Sequence, residues 1–165
     1  MARLLALLAL LLPSLAGATE IGAVRPIGVG LSGGSLGALE GRAYLYPTRE
    51  LSVDLSLGRA LAGFSAPGLA WRARGNAHLV ELLDTRSVEV PVGLGLGLIG
   101  GRWAAPADGV RLHRSGWAGL HAVALISADL ADWPAQIEIS AGADWVVLPK
   151  SRLSPAVGLA VRYYP

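Results

Sequence analysis

The stretch from Val88 to Leu98 alternates between large apolar residues and small or polar ones. Valine or leucine occupies all six even-numbered positions, whereas the odd-numbered positions hold Glu89, Pro91 and three glycines. Successive side chains of an extended chain point to opposite faces, so this period of two predicts a strand. A soluble β-sandwich would bury the apolar face in a protein core, whereas a membrane barrel would turn it towards lipid.

The same alternation recurs along the chain and predicts eight strands. Apolar segments rich in glycine disfavour helices, and the 22 glycines are spread through them. The predicted strands are 21–31, 36–46, 51–58, 69–82, 88–98, 116–127, 136–147 and 156–163. Predicted turns include 32–35, 47–49, 84–85, 129–134 and 149–153, and the longest irregular region is 100–115. The faces of the first and sixth strands could each be reversed, because their patterns are weaker.

Two regularities favour lipid over a soluble core. In an antiparallel barrel, successive connections between strands lie at alternate ends. The connections at one end are all short, whereas those at the other end include 100–115, and outer-membrane barrels have the same asymmetry. Tyrosine and tryptophan concentrate at strand ends, where amphipathic rings sit at the level of lipid headgroups. One ring is expected to contain Tyr44, Tyr46, Trp133, Tyr163 and Tyr164, and the other Trp71, Trp103, Trp117 and Trp145.

The first 18 residues have the features of a secretory signal peptide. Arg3 supplies a basic start, 4–12 is a short apolar run, and Ala16-Gly17-Ala18 is a cleavage site. Cleavage after Ala18 would leave residues 19–165 as one domain, and an uncleaved anchor is the alternative. The remaining chain has no run of 18 apolar residues free of charges, so it is not expected to form a transmembrane helix.

Charge and cysteine content exclude several classes of protein. The chain has 14 basic and 12 acidic residues, a balance that argues against a nucleic-acid binder. It has no cysteine, which excludes a disulfide scaffold and a thiolate metal site. His78 and His121 are predicted to face inward, but no third ligand lies at a suitable spacing, so neither a metal nor a cofactor is predicted.

Charged residues of both signs occupy the face opposite the apolar one. An eight-stranded barrel is just wide enough for its own side chains, and a buried charge must be paired because burying it alone is costly. We therefore expect a lumen filled by paired charges, with a narrow ion or solute path as the alternative. The predicted network consists of Glu40, Arg42, Asp54, Arg72, Arg74, Glu89, Glu138, Asp144 and Arg162.

The end of the chain, A-V-G-L-A-V-R-Y-Y-P, has Gly158 followed by spaced apolar residues and Tyr163. This pattern is similar to the terminal signal of small eight-stranded outer-membrane barrels such as the OmpA transmembrane domain and OmpX, although Pro165 stands where an aromatic residue is usual. The resemblance implies an all-β, eight-stranded antiparallel up-and-down transmembrane barrel in a bacterial outer membrane. It also implies a monomer surrounded by lipid, a last strand read by the assembly machinery, and a structural or adhesive role without catalysis.

Two other functions remain open at this point. His113-Arg114-Ser115 looks like the His-x-Ser pair of lipid A deacylases, which are also eight-stranded barrels. Gly116 replaces the asparagine that follows the serine in that family, and the nearest acid, Asp129, is predicted at the opposite rim, out of reach of a general base. The second alternative is a soluble periplasmic sandwich or barrel that binds a lipid.

Overall fold

The computed structural model describes residues 27–34, 38–45, 47, 50–60, 68–103, 116–130, 132–149 and 151–165. The strands are β1 (Ile27–Gly34), β2 (Ala38–Leu45), β3 (Leu51–Ala60), β4 (Gly68–Asp84), β5 (Val88–Trp103), β6 (Gly116–Leu130), β7 (Ala135–Leu148) and β8 (Arg152–Tyr163). Each strand pairs antiparallel with the next, and β8 pairs with β1 to close the barrel. The predicted all-β, eight-stranded antiparallel barrel is confirmed. Among the described residues, no helix is long and apolar enough to cross a membrane.

The strands are staggered around the barrel. A line of paired residues that starts at Val29 on β1 reaches Leu153 after passing through all seven following strands. The closing β1–β8 ladder instead pairs Val29 with Tyr163, so the stagger is ten residues, from Leu153 to Tyr163. With a rise of about 3.3 Å per residue and strands about 4.8 Å apart, this stagger tilts the strands by about 40° from the barrel axis.

The apolar side chains point outward and the polar ones point into the lumen. On β5 the leucines at 94, 96 and 98 are exposed, whereas Glu89, Pro91 and the glycines at 93 and 95 are buried. The predicted faces of the first and sixth strands are also confirmed, since Leu31 and Leu120 are exposed whereas Gly28 and His121 are buried. The surface of the barrel is therefore apolar and its interior is polar.

Seven of the eight strands, all except β2, run further than the sequence pattern predicted. Four of the predicted turns, 32–35, 84–85, 129–134 and 149–153, and the predicted irregular region 100–115 each give residues to a strand, namely 32–34, 84, 129–130, 152–153 and 100–103. The physical reason is that ladder hydrogen bonds with neighbouring strands outweigh local turn preference. Ser32, for example, pairs with Glu40 on β2 and with Ala160 on β8. A register shift between His78 and Val80 also moves the outward position from Leu79, where the pattern predicted it, to Val80.

We call the end of the barrel with the connections 46–50, 85–87 and 131–134 the short-turn end. The opposite end, with the connections 35–37, 61–67, 104–115 and 149–151, is the loop end. The longest connections are at the loop end, which agrees with the predicted asymmetry of connection lengths.

Candidate functional site: the barrel lumen

Five charged side chains from five different strands meet in the middle of the lumen. Arg74 Nη2 lies 2.7 Å from Glu138 Oε1 and 2.9 Å from Asp54 Oδ2. Arg42 Nη2 lies 3.2 Å from the same Asp54 oxygen, and Arg162 Nη2 is paired with Glu138 Oε2. All five side chains are at most 2% exposed. In such a buried site, charges are tolerated only because each has a partner of opposite sign.

Two further charges extend this network towards the loop end. Arg72 Nη2 lies 3.4 Å from Glu40 Oε1, and Ser32 Oγ donates to Glu40 Oε2 at 3.3 Å. Arg42 Nε lies 3.9 Å from Glu40 Oε2 and so joins the two groups. These contacts join four arginines and three carboxylates.

Asp144 and Glu89, the other two predicted lumen charges, lie towards the two ends of the lumen. Asp144 Oδ1 is 2.5 Å from His121 Nδ1 towards the loop end, and both residues are buried. Glu89 is buried near the short-turn end, in register with Asp129. His78 Nε2 lies 3.2 Å from Ser52 Oγ. The described part of the chain contains no group of three His, Asp or Glu side chains that could hold a metal ion.

An uncharged residue that the sequence analysis missed, Gln136, connects the network to the short-turn end. Its Oε1 accepts hydrogen bonds from Arg162 Nη1 and, at 2.9 Å, from Tyr164 Oη. Its Nε2 donates to Asp129 Oδ1 and, at 3.2 Å, to Ser127 Oγ. A search for charges alone does not find Gln136. The signal that could have found it is its position on the same face as Glu138.

The prediction that Tyr44 belongs to a membrane-interface ring is wrong, because its side chain lies in the lumen and the residue is only 2% exposed. Arg42 Nη1 donates to Tyr44 Oη at 2.7 Å, and the guanidinium carbon of Arg162 lies 3.4 Å from the ring centroid. The reason is that a guanidinium stacks well on an aromatic face, and Tyr44 shares the inward face of β2 with Arg42. Tyr164, which was assigned to the same ring, is also buried.

Four of the other aromatic residues assigned to the rings face outward, since Trp71, Trp133, Trp145 and Tyr163 are exposed. The prediction that Trp117 belongs to a ring is wrong, because Trp117 has the inward parity of His121 on β6 and its Nε1 would lie 2.7 Å from a Cβ at Gly101, its partner on β5. On β7, Trp145 near the loop end lies ten residues from Ala135 at the short-turn end. With a rise of about 3.3 Å per residue and a strand tilt of about 40°, this separation corresponds to about 25 Å along the barrel axis. The apolar band of outer-membrane barrels has a similar height. Tyr46 and the side chain of Trp103 lie outside the described residues.

Small residues on the inner face leave room for the large charged side chains. A Cβ atom at Gly95 would lie 2.7 Å from Asn76 Oδ1 and 2.8 Å from Arg74 Cδ. The alternation of leucine and glycine along β5 therefore serves both faces, since leucine points outward and glycine makes space for Arg74.

The His-x-Ser pair of the deacylase alternative, His113 and Ser115, lies outside the described residues. Asp129, the nearest acid after this pair, is buried in the lumen at the short-turn end, where it accepts a hydrogen bond from Gln136.

Comparisons with known proteins identify the fold. No protein-family model and no curated protein matches the sequence. The structure is similar to the crystal structure of the N-terminal β-barrel domain of Pseudomonas aeruginosa OprF, with a TM-score of 0.54 and 17% sequence identity. The match covers 83% of this chain and 95% of that one. The chain therefore has the fold of the OprF barrel domain, and the resemblance to small eight-stranded outer-membrane barrels is confirmed at the level of fold.

Proposed function

We propose that this chain is an integral protein of a bacterial outer membrane, with a lumen closed by its own charged side chains and a structural or adhesive role without catalysis. The observation that carries the proposal is that, at adjacent positions of one strand, the apolar side chains are exposed and the charged side chain is buried. On β3, Val53 and Leu55 are exposed, whereas Asp54 between them is completely buried. An OprF-like barrel fold is consistent with this location.

The cost of exposing this surface to water supports a lipid environment. Large apolar side chains are exposed on all eight strands, including Leu31, Leu45, Leu55, Leu82, Leu96, Leu120, Ile139 and Leu159. Soluble monomers rarely expose a continuous apolar patch of more than a few hundred Å². Each Å² of apolar surface removed from water contributes about 25 cal/mol, so contact with acyl chains would stabilise the barrel strongly.

The geometry of the last strand supports recognition by the outer-membrane assembly machinery. Val161 and Tyr163 point outward and are exposed, and Gly158 packs on the inner side against Ser140. The terminal motif therefore presents its apolar residues on the surface that a partner can reach while the barrel closes. We also propose that the folded protein is a monomer, since closure of β8 on β1 leaves no complete strand without a neighbour.

The proposed role is tested by membrane fractionation and by conductance. We expect the native protein to stay with the outer membrane after alkaline washing and to require detergent for extraction. Unheated samples are expected to migrate differently from boiled samples on a gel, because a closed barrel resists dodecyl sulfate. The network of seven charges leads us to expect no conductance in planar bilayers. Purification without detergent would favour the soluble lipid-binding barrel, and stable channels would favour the narrow pore.

The proposed interface rings give a separate prediction. In proteins that retain only Trp133 or only Trp145, we expect lipids brominated near the headgroup to quench fluorescence more strongly than lipids brominated near the chain end. The physical reason is that both indoles lie near the ends of the apolar band. Stronger quenching from the chain end, or no quenching by either lipid, would contradict the assignment of these residues to the rings.

A further inference from the structure

The exposed charged residues of the described chain are segregated between the two ends of the barrel. All of its exposed acidic residues lie at the short-turn end, namely Glu50, Asp84 and Asp132. Its exposed charged residues at the loop end are all arginines, namely Arg59, Arg102 and Arg152. In the sequence, the loop-end connections add three basic residues and one acidic residue, namely Arg111, Arg114, Lys150 and Asp108. The loop end therefore carries a net positive charge.

Two of these arginines lie in one row on the outer surface. Arg59 on β3 pairs with Leu69 on β4, and Leu69 pairs with Arg102 on β5. Both arginines are exposed, and they have the outward parity of Leu57 and Leu98. Neighbouring strands lie about 4.8 Å apart, so the two Cα atoms are about 10 Å apart. Both long side chains can therefore reach a single group that lies between them above Leu69.

Trp71 marks the depth of this row in the proposed membrane. Trp71 follows Leu69 by two positions along β4, on the side nearer the middle of the barrel, and it is 40% exposed. Its ring lies against the bare backbone of Gly100, where a Cβ atom would be only 2.6 Å from Trp71 Cζ2. Tryptophan is typical of the boundary between the apolar band and the headgroups. Arg59 and Arg102 lie beyond this boundary, at the level of the lipid phosphates.

The two arginines form no ion pair with a carboxylate of the described chain. The lumen carboxylates lie on the opposite side of the barrel wall, and the single aspartate of the loop-end connections cannot neutralise six basic residues. Gly116, which pairs with Arg102 on β6, has no side chain that could cover the guanidinium. A charged side chain beside an apolar band needs hydration or an opposite charge. A partner that suits this row is therefore anionic and present at headgroup level.

We propose that Arg59 and Arg102 together bind the anionic phosphate group of a lipid in the leaflet at the loop end, an inference that depends on the proposed membrane location. Guanidinium matches phosphate oxygens in charge and in geometry, because it can donate two parallel hydrogen bonds. Leu57 and Leu69 are exposed beside the arginines and provide apolar surface for the acyl chains. A lipid therefore contacts both parts of this surface, whereas a free phosphate ion would contact only the guanidinium groups.

Fluorescence quenching of Trp71 tests this site in a bilayer. A protein that retains Trp71 as its only tryptophan is placed in phosphatidylcholine vesicles that contain a fraction of brominated phosphatidic acid or of brominated phosphatidylcholine. The ratio of the two quenching efficiencies gives the preference of the lipid position beside Trp71 for the anionic headgroup. We expect a preference of at least about tenfold, since each arginine near a membrane surface contributes about fivefold.

The short-turn end provides the matched control for this measurement. Trp133 is exposed and follows the exposed acid Asp132, so a protein that retains only Trp133 is expected to show no preference for phosphatidic acid. The same quenching experiment on both proteins therefore compares the two ends of one barrel in one bilayer.

Arginine variants assign the preference to the proposed pair. Arg59→Gln and Arg102→Gln are each expected to lower it about three- to fivefold, and the double variant is expected to abolish it. Arg59→Lys is expected to lose less, because it keeps the charge but not the paired hydrogen bonds. Arg86→Gln removes an exposed arginine at the short-turn end and is expected to leave the preference at Trp71 unchanged.

The outcomes separate this site from the proposed membrane location. Equal quenching of Trp71 by both lipids, or a preference that survives the double variant, would overturn the site while the quenching itself would still place Trp71 in lipid. No quenching by either lipid would contradict the membrane location and the site together. Inorganic phosphate is expected to lower the preference no more than sodium chloride of equal ionic strength, and a larger reduction would overturn the lipid as the source of the phosphate. The heat-dependent gel shift confirms a closed barrel for every variant.

Discussion

Replacing Glu138 with alanine is expected to lower the free energy of unfolding of the barrel by about 3–5 kcal/mol, the range for breaking a buried ion pair. Glu138 contacts the guanidinium groups of Arg42, Arg74 and Arg162. Without it, Arg42 and Arg74 keep Asp54 as a shared anion, and Arg162 loses its charge-assisted contact with Glu138 Oε2. Urea-induced unfolding in detergent, followed by the gel shift between the folded and unfolded forms, measures the change.

An exposed acidic residue in the connection that precedes β7 provides the control for this experiment. Asp132 lies in the β6–β7 connection and is exposed, so Asp132→Ala is expected to change the free energy of unfolding by less than about 0.5 kcal/mol. Glu138→Gln is expected to lie between the two, because the amide keeps its size and one acceptor oxygen but loses the charge. Equal effects of Glu138→Ala and Asp132→Ala would show that the lumen network does not stabilise the barrel.

The direction in which most side chains point could be predicted from the sequence. In a strand, the face of a residue depends only on whether its position is odd or even, so one strong pattern such as that of β5 assigns the whole segment. The same rule placed His121 inside, as observed. It fails where a register shift intervenes, as at Val80, because an extra residue on one strand reverses the alternation.

The partners in the lumen could not be predicted in the same way. Arg74 and Glu138 are 64 positions apart in the sequence, and the stagger of ten residues brings them to the same height. That stagger depends on the sum of seven strand registers, none of which is strongly encoded by local sequence. Sequence analysis therefore identified most of the charges that are inside, but it missed Asp129 and did not identify which of them touch.

Aromatic residues were the least predictable side chains. Tyrosine suits a membrane interface, but it also suits a polar lumen where a guanidinium can stack on its ring. Tyr44 and Tyr163 both lie near strand ends, yet the first is buried against Arg162 and the second is exposed. The alternation of inward and outward positions distinguishes the two tyrosines. Tyr44 lies on the same inward face as Arg42, whereas Tyr163 lies on the same outward face as Val161.

Replacing Leu96 with arginine is expected to destabilise the barrel in lipid by about 2–4 kcal/mol, the cost of arginine on the outer surface at the bilayer midplane. Leu96 is 69% exposed. With the observed registers and a tilt of about 40°, it lies about midway along the axis between Trp145 and Tyr163. The guanidinium there is too far from either headgroup region to be hydrated without distorting the bilayer. Reversible urea unfolding in lipid vesicles, followed by tryptophan fluorescence, measures the change.

The matched control replaces a leucine whose side chain is as exposed as that of Leu96 but lies at a different depth in the bilayer. Leu153 is 71% exposed and pairs with Trp145, near the loop end of the apolar band. Leu153→Arg is therefore expected to cost only about 0–1 kcal/mol, because arginine at this depth reaches the headgroups. In water the two leucines would be equivalent, so a soluble barrel predicts small and equal effects. A larger cost at Leu96 than at Leu153 requires a surrounding medium that is least polar at the middle of the barrel, which is the property of a bilayer.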